Sequence, residues 1–269
     1  MQTLETFLAG VQGAMFDHQD GQYIENDGAR IYFEARGDED APPLLLLHGG
    51  FGTLEDFNSL VPAFSDRYWM IAMDTRGHGR STLGSRPLSY EQLQLDALAL
   101  LEHLDIESAY IIGFSDGGIA AYRVAAFACE RVEKLATIGA TWQRRPDDPA
   151  NELLSKITGE SWRKKFPATY DIYQKYNPEP DFDGLARAEV RMWLDPSSSG
   201  YPNQAARRIC CPLLIIRGEN DHLFAKEDAA ELEQIVNESK LETIPNAGHE
   251  AHKDQTNDVV QLIQQFFDA

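Results

Sequence analysis

Short apolar runs alternate with segments of helical periodicity along the first part of the chain. Continuous apolar runs, the first of them stopped by glycine, are typical of strands buried on both faces of a parallel sheet. They cover residues 42–50, 67–77, 108–114 and 134–141. The segments between them predict helices, and Ser89 is a capping signal for one of them. Strands and helices in alternation predict a mainly parallel sheet with helices on both faces.

The alternation is interrupted once, by a stretch rich in proline, glycine, charged and aromatic residues. This stretch covers residues 142–207, and strand and helix patterns return after it. We therefore predict one α/β core domain, residues 1–141 and 208–269, with an inserted helical cap or lid at 142–207. A hairpin is expected near the start, because residues 26–28 (Asn-Asp-Gly) form a turn sequence between two alternating stretches.

Acidic residues outnumber basic ones by 43 to 24, which gives a net charge of −19. Such a field repels nucleic acids and anionic membranes and attracts cationic small molecules. We therefore expect neither a nucleic-acid partner nor a membrane partner. The apolar stretch at residues 7–16 is interrupted and too short to span a bilayer.

The chain has three cysteines, at Cys129, Cys210 and Cys211. Their odd number, and two of them adjacent before an apolar strand, predict reduced, buried cysteines and no disulfide framework. No Cys/His spacing typical of a zinc site is present. We expect a cytoplasmic protein that needs no metal and no other cofactor.

Chemically distinctive residues follow four of the predicted strands. A glycine-rich loop, residues 48–52, follows the first, and Ser115, Asp221 and His249 each follow another. Because ligands bind at the carboxyl ends of parallel strands, these residues are expected to meet at one edge of the sheet. Residues 113–117 (Gly-Phe-Ser-Asp-Gly) match G-x-S-x-G between a strand and a helix, which is the context of a nucleophile elbow.

A serine needs a base to accept its proton, and the base needs an acid to orient it. We predict Ser115 as the nucleophile, His249 as the base and Asp221 as the acid. The backbone amides of Gly50 and Asp116 are the predicted oxyanion hole. Glu219 and His252 are the competing acid and base. We prefer Asp221, because the side chain of Glu219, two residues earlier, should point elsewhere in a strand-to-loop transition. We prefer His249, because it lies in the loop right after the last strand, whereas His252 lies at the approach to the final helix.

These residues resemble the α/β-hydrolase family, in its serine-nucleophile branch of carboxylesterases and valacyclovir hydrolase-like enzymes. The resemblance covers nearly the whole chain, through the motifs LLLLHGG, DTRGHGRS, GFSDGG, RGENDHL and NAGHEAH. It implies an eight-stranded sheet with one antiparallel strand and a cap at the insertion. The elbow with Asp116 is similar to that of valacyclovir hydrolase-like enzymes, in which this aspartate contacts the α-amino group of amino-acid esters.

The function that follows is hydrolysis of small carboxylic esters through an acyl-enzyme, and the elbow aspartate suggests the further hypothesis of a preference for cationic amino-acyl groups. Asp116 and Phe51 are the predicted substrate-binding residues. An Asp116 carboxylate that merely favours the helix dipole remains an alternative. Two other functions remain open: C–C bond hydrolysis of dienone acids, for which Arg123, Arg187 or Arg191 would bind the carboxylate, and non-catalytic binding of a small molecule. We expect a monomer or a homodimer.

Overall fold

A single mixed sheet organises the part of the chain that the computed structural model describes, residues 15–269. Its strands, in chain order β1 to β8, are Gln22–Asn26, Ala29–Arg36, Pro43–Leu47, Trp69–Met73, Ala109–Phe114, Val132–Ile138, Leu213–Gly218 and Ser239–Ile244. Within residues 15–269 the spatial order is β1-β2-β4-β3-β5-β6-β7-β8. Among the strands of residues 15–269, only β2 runs against the others, because it pairs antiparallel with both β1 and β4. The predicted fold class, with eight strands and one antiparallel strand, is confirmed.

Helices cover both faces of the sheet. The α-helices, in chain order α1 to α10, are Val61–Phe64, Tyr90–His103, Asp116–Phe127, Ala150–Ser155, Gly159–Lys165, Pro167–Tyr176, Phe182–Trp193, Lys226–Ile235, Ala251–Asp254 and Thr256–Asp268. The described part of the chain also has three short 3-10 helices, at Leu54–Phe57, Cys129–Arg131 and Asn203–Arg208. The side chain of Ser89 caps α2 by accepting from the amide of Gln92. Four helices, α4 to α7, occupy the interval between β6 and β7.

The central strands are apolar at consecutive positions because both of their faces are covered. Every residue from Leu44 to Leu47 and from Leu213 to Gly218 is buried. After β3 the chain moves to β4 on one side, and after β4 it crosses to β5 on the other side of β3. The carboxyl ends of β3 and β5 therefore form a topological switch point, where open α/β sheets bind their ligands.

The prediction of reduced cysteines is wrong. Cys129 and Cys210 form a disulfide, with their Cα atoms 6.0 Å apart, and Cys211 is a buried free cysteine. The two partners lie 81 residues apart in sequence, but they precede β6 and β7, which are parallel neighbours. Their loops therefore meet at the amino-terminal edge of the sheet, which cysteine spacing alone does not reveal.

The apolar stretch at residues 7–16 falls mostly outside the described residues, and so does the beginning of the predicted core domain. Within residues 15–269, no helix combines the length and the apolarity that a bilayer crossing requires.

Candidate active site

Ser115 stands on a sharp turn between β5 and α3. Its backbone has φ 49° and ψ −118°, a conformation that residues other than glycine rarely adopt. The turn closes because its neighbours lack side chains. A Cβ on Gly113 would lie 2.7 Å from the carbonyl oxygen of Gly117, and one on Gly117 would lie 2.0 Å from that of Leu47. The glycines of the elbow motif therefore allow the chain to fold tightly enough to present Ser115.

The three residues predicted as a triad lie within hydrogen-bond distance of one another. His249 Nε2 is 3.0 Å from Ser115 Oγ, and His249 Nδ1 is 3.0 Å from each carboxylate oxygen of Asp221. The carboxylate of Asp221 accepts from the amides of Leu223 and Phe224 as well. Burial alone would raise the pKa of Asp221, but these hydrogen bonds and His249 hold it below its ordinary value. An ionised Asp221 fixes the Nδ1–H tautomer, which leaves Nε2 free to accept from Ser115.

The competing acid and base lie apart from this arrangement. Glu219 is exposed and accepts a hydrogen bond from the amide of Asn246. His252 is fully buried against Phe114, with ring centroids 4.6 Å apart. Neither of its ring nitrogens has a hydrogen-bond partner among residues 15–269, and burial lowers its pKa to about 3. The structure thus brings His249, and not His252, to Ser115.

Two buried histidines shape the glycine-rich loop after β3. His48 Nδ1 donates to the carbonyl of Gly49 at 2.7 Å, and its Nε2 accepts from the amide of Thr75 at 3.0 Å. Burial lowers the pKa of His48 to about 4, so the ring stays neutral in this role. The Phe51 amide donates to His78 Nε2 at 3.0 Å and is therefore already engaged.

The two amides predicted as the oxyanion hole have free N–H groups. Within residues 15–269, neither the Gly50 amide nor the Asp116 amide donates a hydrogen bond. The Asp116 amide is free because it opens α3, and the first N–H groups of a helix have no partner inside it. Both groups are thus available to an external oxygen.

The carboxylate of Asp116 points into a buried polar cluster and is almost fully covered. Tyr90 donates its hydroxyl to Oδ1 at 2.7 Å, and the indole N–H of Trp193 donates to Oδ2 at 2.8 Å. Burial, followed by the negative charge of Glu189, raises the pKa of Asp116 to about 7. The carboxylate is therefore held by side chains and does not cap its own helix.

Glu189, on α7, is a member of this cluster that the sequence reasoning missed. It is completely buried, and it falls within the apolar stripe of α7 that includes Leu185, Met192 and Trp193. A charged residue inside an amphipathic stripe at helical spacing is the signal that would have identified it. Among the described residues, no group of three or more His, Cys, Asp or Glu is arranged to hold a metal ion.

Phe51 is buried beneath aromatic residues from the helices between β6 and β7. Its ring centroid lies 4.3 Å from that of Trp162, 5.4 Å from that of Phe182 and 5.8 Å from that of Trp193. The predicted substrate-binding position thus faces α5 and α7. These helices cover the loop that carries Gly50.

The chain belongs to the alpha/beta hydrolase family, whose model matches residues 44–262. It is accordingly a hydrolase enzyme. It is 26% identical to the serine hydrolase BPHL of Homo sapiens, over 89% of this chain and 84% of the relative. It is 25% identical to the sn-1-specific diacylglycerol lipase ABHD11 of Mus musculus, over 86% of this chain and 82% of that one. The fold is similar to that of a hydrolase from Pseudomonas aeruginosa, with a TM-score of 0.76, 20% identity and coverage of 94% and 100%.

Proposed function

We propose that the protein hydrolyses small carboxylic esters with Ser115 as nucleophile, His249 as general base and Asp221 as the orienting acid. The observation that carries the proposal is the unbroken chain of 3.0 Å contacts from Ser115 Oγ through His249 to Asp221. Curated relatives named as a serine hydrolase and a diacylglycerol lipase support the same reaction class.

In the proposed reaction, His249 Nε2 takes the proton of Ser115 as Oγ bonds to the ester carbonyl carbon. The amides of Gly50 and Asp116 stabilise the oxyanion. The tetrahedral intermediate then expels the alkoxide, which takes its proton from His249, and an acyl-enzyme remains. Water loses a proton to His249 and attacks the acyl group, and the departing Ser115 oxygen recovers that proton.

We also propose that residues 142–207 form a cap over a core built from residues 1–141 and 208–269. The support is that Trp193 donates to Asp116 at the elbow and that Trp162 and Phe182 cover Phe51. A substrate would reach Ser115 when these contacts loosen, as lids in other enzymes open and close around bound substrate.

For the acyl group, we propose a preference for cationic amino-acyl esters, recognised by the carboxylate of Asp116. The same carboxylate, with Glu189 nearby, disfavours the anionic dienone acids that a C–C hydrolase would bind. Arg123, one of the residues predicted to bind the carboxylate of a dienone acid, is buried and donates to the carbonyls of Ser198 and Gly200, each at 2.9 Å. Arg187 and Arg191 are exposed on α7, so the three predicted carboxylate-binding residues do not support the C–C hydrolase function.

We further propose that the substrate is a small-molecule ester, that the protein is a monomer or a homodimer, and that it is located in the cytoplasm. The Cys129–Cys210 disulfide is the feature that weighs against the cytoplasm, since disulfides are rare there. Cell fractionation combined with thiol alkylation tests the location directly.

The hydrolase proposal is tested by replacing Ser115→Ala and assaying p-nitrophenyl isobutyrate and p-nitrophenyl alaninate. We expect kcat to fall by about 10³-fold or more, because the nucleophile is removed. Wild type should also react with a fluorophosphonate probe, and the variant should not. Ser155→Ala is the matched control, because Ser155 is exposed and donates only to the carbonyl of Glu152. Absence of turnover and of labelling in wild type would favour the non-catalytic binding function.

A further inference from the structure

Glu189 is a fully buried carboxylate without a hydrogen bond. Neither of its oxygens has a partner among residues 15–269. The nearest basic atom is His78 Nε2, which lies 3.2 Å from Oε1 and accepts from the amide of Phe51 while the ring is neutral. A buried carboxylate beside a second one is costly unless a proton or another cation balances the pair, because it has lost its hydration. A cation bound at this position would stabilise the buried carboxylate of Glu189.

The carboxylates of Glu189 and Asp116 face the loop that carries the predicted oxyanion donor. A Cβ added to Gly50 would lie 2.5 Å from Asp116 Oδ2 and 3.5 Å from Glu189 Oε2. At the preceding residue, a Cβ on Gly49 would lie 3.0 Å from that of Ser115. Gly50, which lies against the two carboxylates, is thus the next residue along the loop from Gly49, which lies against Ser115.

No lysine or arginine side chain in the described chain forms an ion pair with either carboxylate. The titratable groups that face the pair are His78 from the turn after β4, Tyr90 from α2 and Tyr201 from the segment before the last 3-10 helix. Burial raises the pKa of both tyrosines, so they remain neutral phenols. Arg144 donates to the hydroxyl of Tyr201 and not to either carboxylate.

A proton balances the pair when no ligand is bound. Burial and Glu189 raise the pKa of Asp116 to about 7, so this carboxyl is protonated about half of the time at neutral pH. Burial would lower the pKa of His78, but Glu189 outweighs burial and raises it, so His78 also belongs to this titrating cluster. Replacing the proton by another monovalent cation would leave the net charge of the cluster unchanged.

We propose that Glu189 and Asp116 together form a subsite for one ammonium group, carried by the acyl part of the substrate close to its ester carbonyl. The inference rests on the proposed ester hydrolysis and adds Glu189 as a specificity-determining residue supplied by α7. The ammonium would exchange with the proton of the pair and donate to the carboxylate oxygens that lack partners. A metal ion is a poorer fit, because the cluster lacks the ligand set that one requires.

The first test compares two p-nitrophenyl esters, alaninate and isobutyrate, which differ by an ammonium in place of a methyl group. We expect Glu189→Gln to lower the ratio of their kcat/KM values by about tenfold to a hundredfold, the loss of one hydrogen bond to a charged group. Asp183→Asn is the matched control, because it removes a charge at an exposed position of the same helix and should leave the ratio unchanged.

The outcomes separate the two proposals. Ser115-dependent turnover of both esters, with a ratio that Glu189→Gln does not change, would overturn the ammonium subsite and leave the hydrolase function standing. No turnover of either ester by wild type would overturn the hydrolase function itself. Labelling of Glu189→Gln by the fluorophosphonate verifies that the variant is folded.

The second test needs no variant. Isopropylammonium, whose pKa resembles that of a lysine at about 10.4, stays charged between pH 6 and pH 8. Because it competes with a proton bound at a pKa of about 7, its Ki against the isobutyrate ester should fall by about tenfold over this interval. Neutral isobutyramide should show no such change. Equal pH dependence for the two inhibitors would overturn the proposal.

Discussion

At the scale of single residues, backbone strain is found at Ser115, the proposed nucleophile. A φ of 49° with a ψ of −118° lies outside even the left-handed helical region, and such residues persist only where surrounding contacts fix them. The Ser115 amide donates to the carbonyl of Ile138, and Gly117 packs directly on the end of β3. The strain therefore supports a nucleophile more strongly than the G-x-S-x-G sequence does alone.

His18 is a second residue whose environment has a measurable consequence. Its ring is fully buried, with Nδ1 2.6 Å from Glu55 and Nε2 2.9 Å from Asp74. Burial alone would lower the pKa of His18, but the two carboxylates outweigh it and raise the pKa to about 9. Because the folded pKa exceeds the unfolded value of about 6.5, the stabilisation is complete below pH 6.5 and is lost as the pH rises through 9.

We therefore expect the free energy of unfolding contributed by His18 to fall by on the order of 3 kcal/mol between pH 6 and pH 9.5. Urea unfolding of wild type and of His18→Gln at both pH values measures it. Subtracting the free energy of unfolding of the variant from that of wild type removes the contribution of the other titrating groups, because both proteins contain them. A difference that is the same at both pH values would show that His18 is neutral in the folded state.

At the scale of elements, α7 connects the helices between β6 and β7 to the turn that carries Ser115. Its apolar stripe packs into the interior, with Leu185 and Met192 buried, while Glu189 and Trp193 reach the carboxylate of Asp116. One helix thus supplies both a hydrogen-bond donor and a negative charge next to the elbow. A shift of α7 would change access to the site and its electrostatics together.

The disulfide joins two more elements, the segments that precede β6 and β7. It closes a loop of 81 residues that contains all of α4 to α7. A cross-link of this length restricts the unfolded chain, and typical disulfides stabilise proteins by about 2–4 kcal/mol. We expect the double replacement Cys129→Ser and Cys210→Ser to lower the free energy of unfolding by about this amount.

Urea unfolding with and without dithiothreitol checks the disulfide prediction. The reductant should destabilise wild type to the level of the double variant and leave the variant itself unchanged. Cys211 does not interfere, because burial raises the pKa of its thiol and suppresses its reactivity. A wild type that is indifferent to the reductant would show that the bridge adds no stability.

At the scale of the whole molecule, the fold could be predicted because its central strands carry continuous apolar sequence and alternate with helices. The positions of Ser115, Asp221 and His249 at strand ends followed from the same pattern, since parallel strands align their carboxyl ends. Glu189 could not be placed this way. Its environment depends on how α7 packs on the core, and that is a tertiary contact without a local sequence signal for its partner.

The disulfide is a second feature that depends on tertiary structure and could not be predicted from the local sequence. The pairing of Cys129 with Cys210 depends on β6 and β7 being neighbours, which strand order decides and cysteine spacing does not. The carboxylate of Asp116 is a third case. Its position next to Ser115 is visible in the sequence, while its hydrogen bonds from Tyr90 and Trp193 come from distant parts of the chain.

The net charge of −19 gives a final prediction that belongs to the molecule as a whole. A strongly negative protein draws cationic substrates toward it, and salt shortens this attraction from about 30 Å at 0.01 M to about 8 Å at 0.15 M. We expect kcat/KM for the alaninate ester at pH 6 to fall by about threefold or more over this range. The isobutyrate ester, which carries no charge, should be unaffected and serves as the control. Equal salt dependence for the two esters would show that salt acts on the enzyme, whereas a loss confined to the cationic ester would show that the charge of the molecule guides substrate to Ser115.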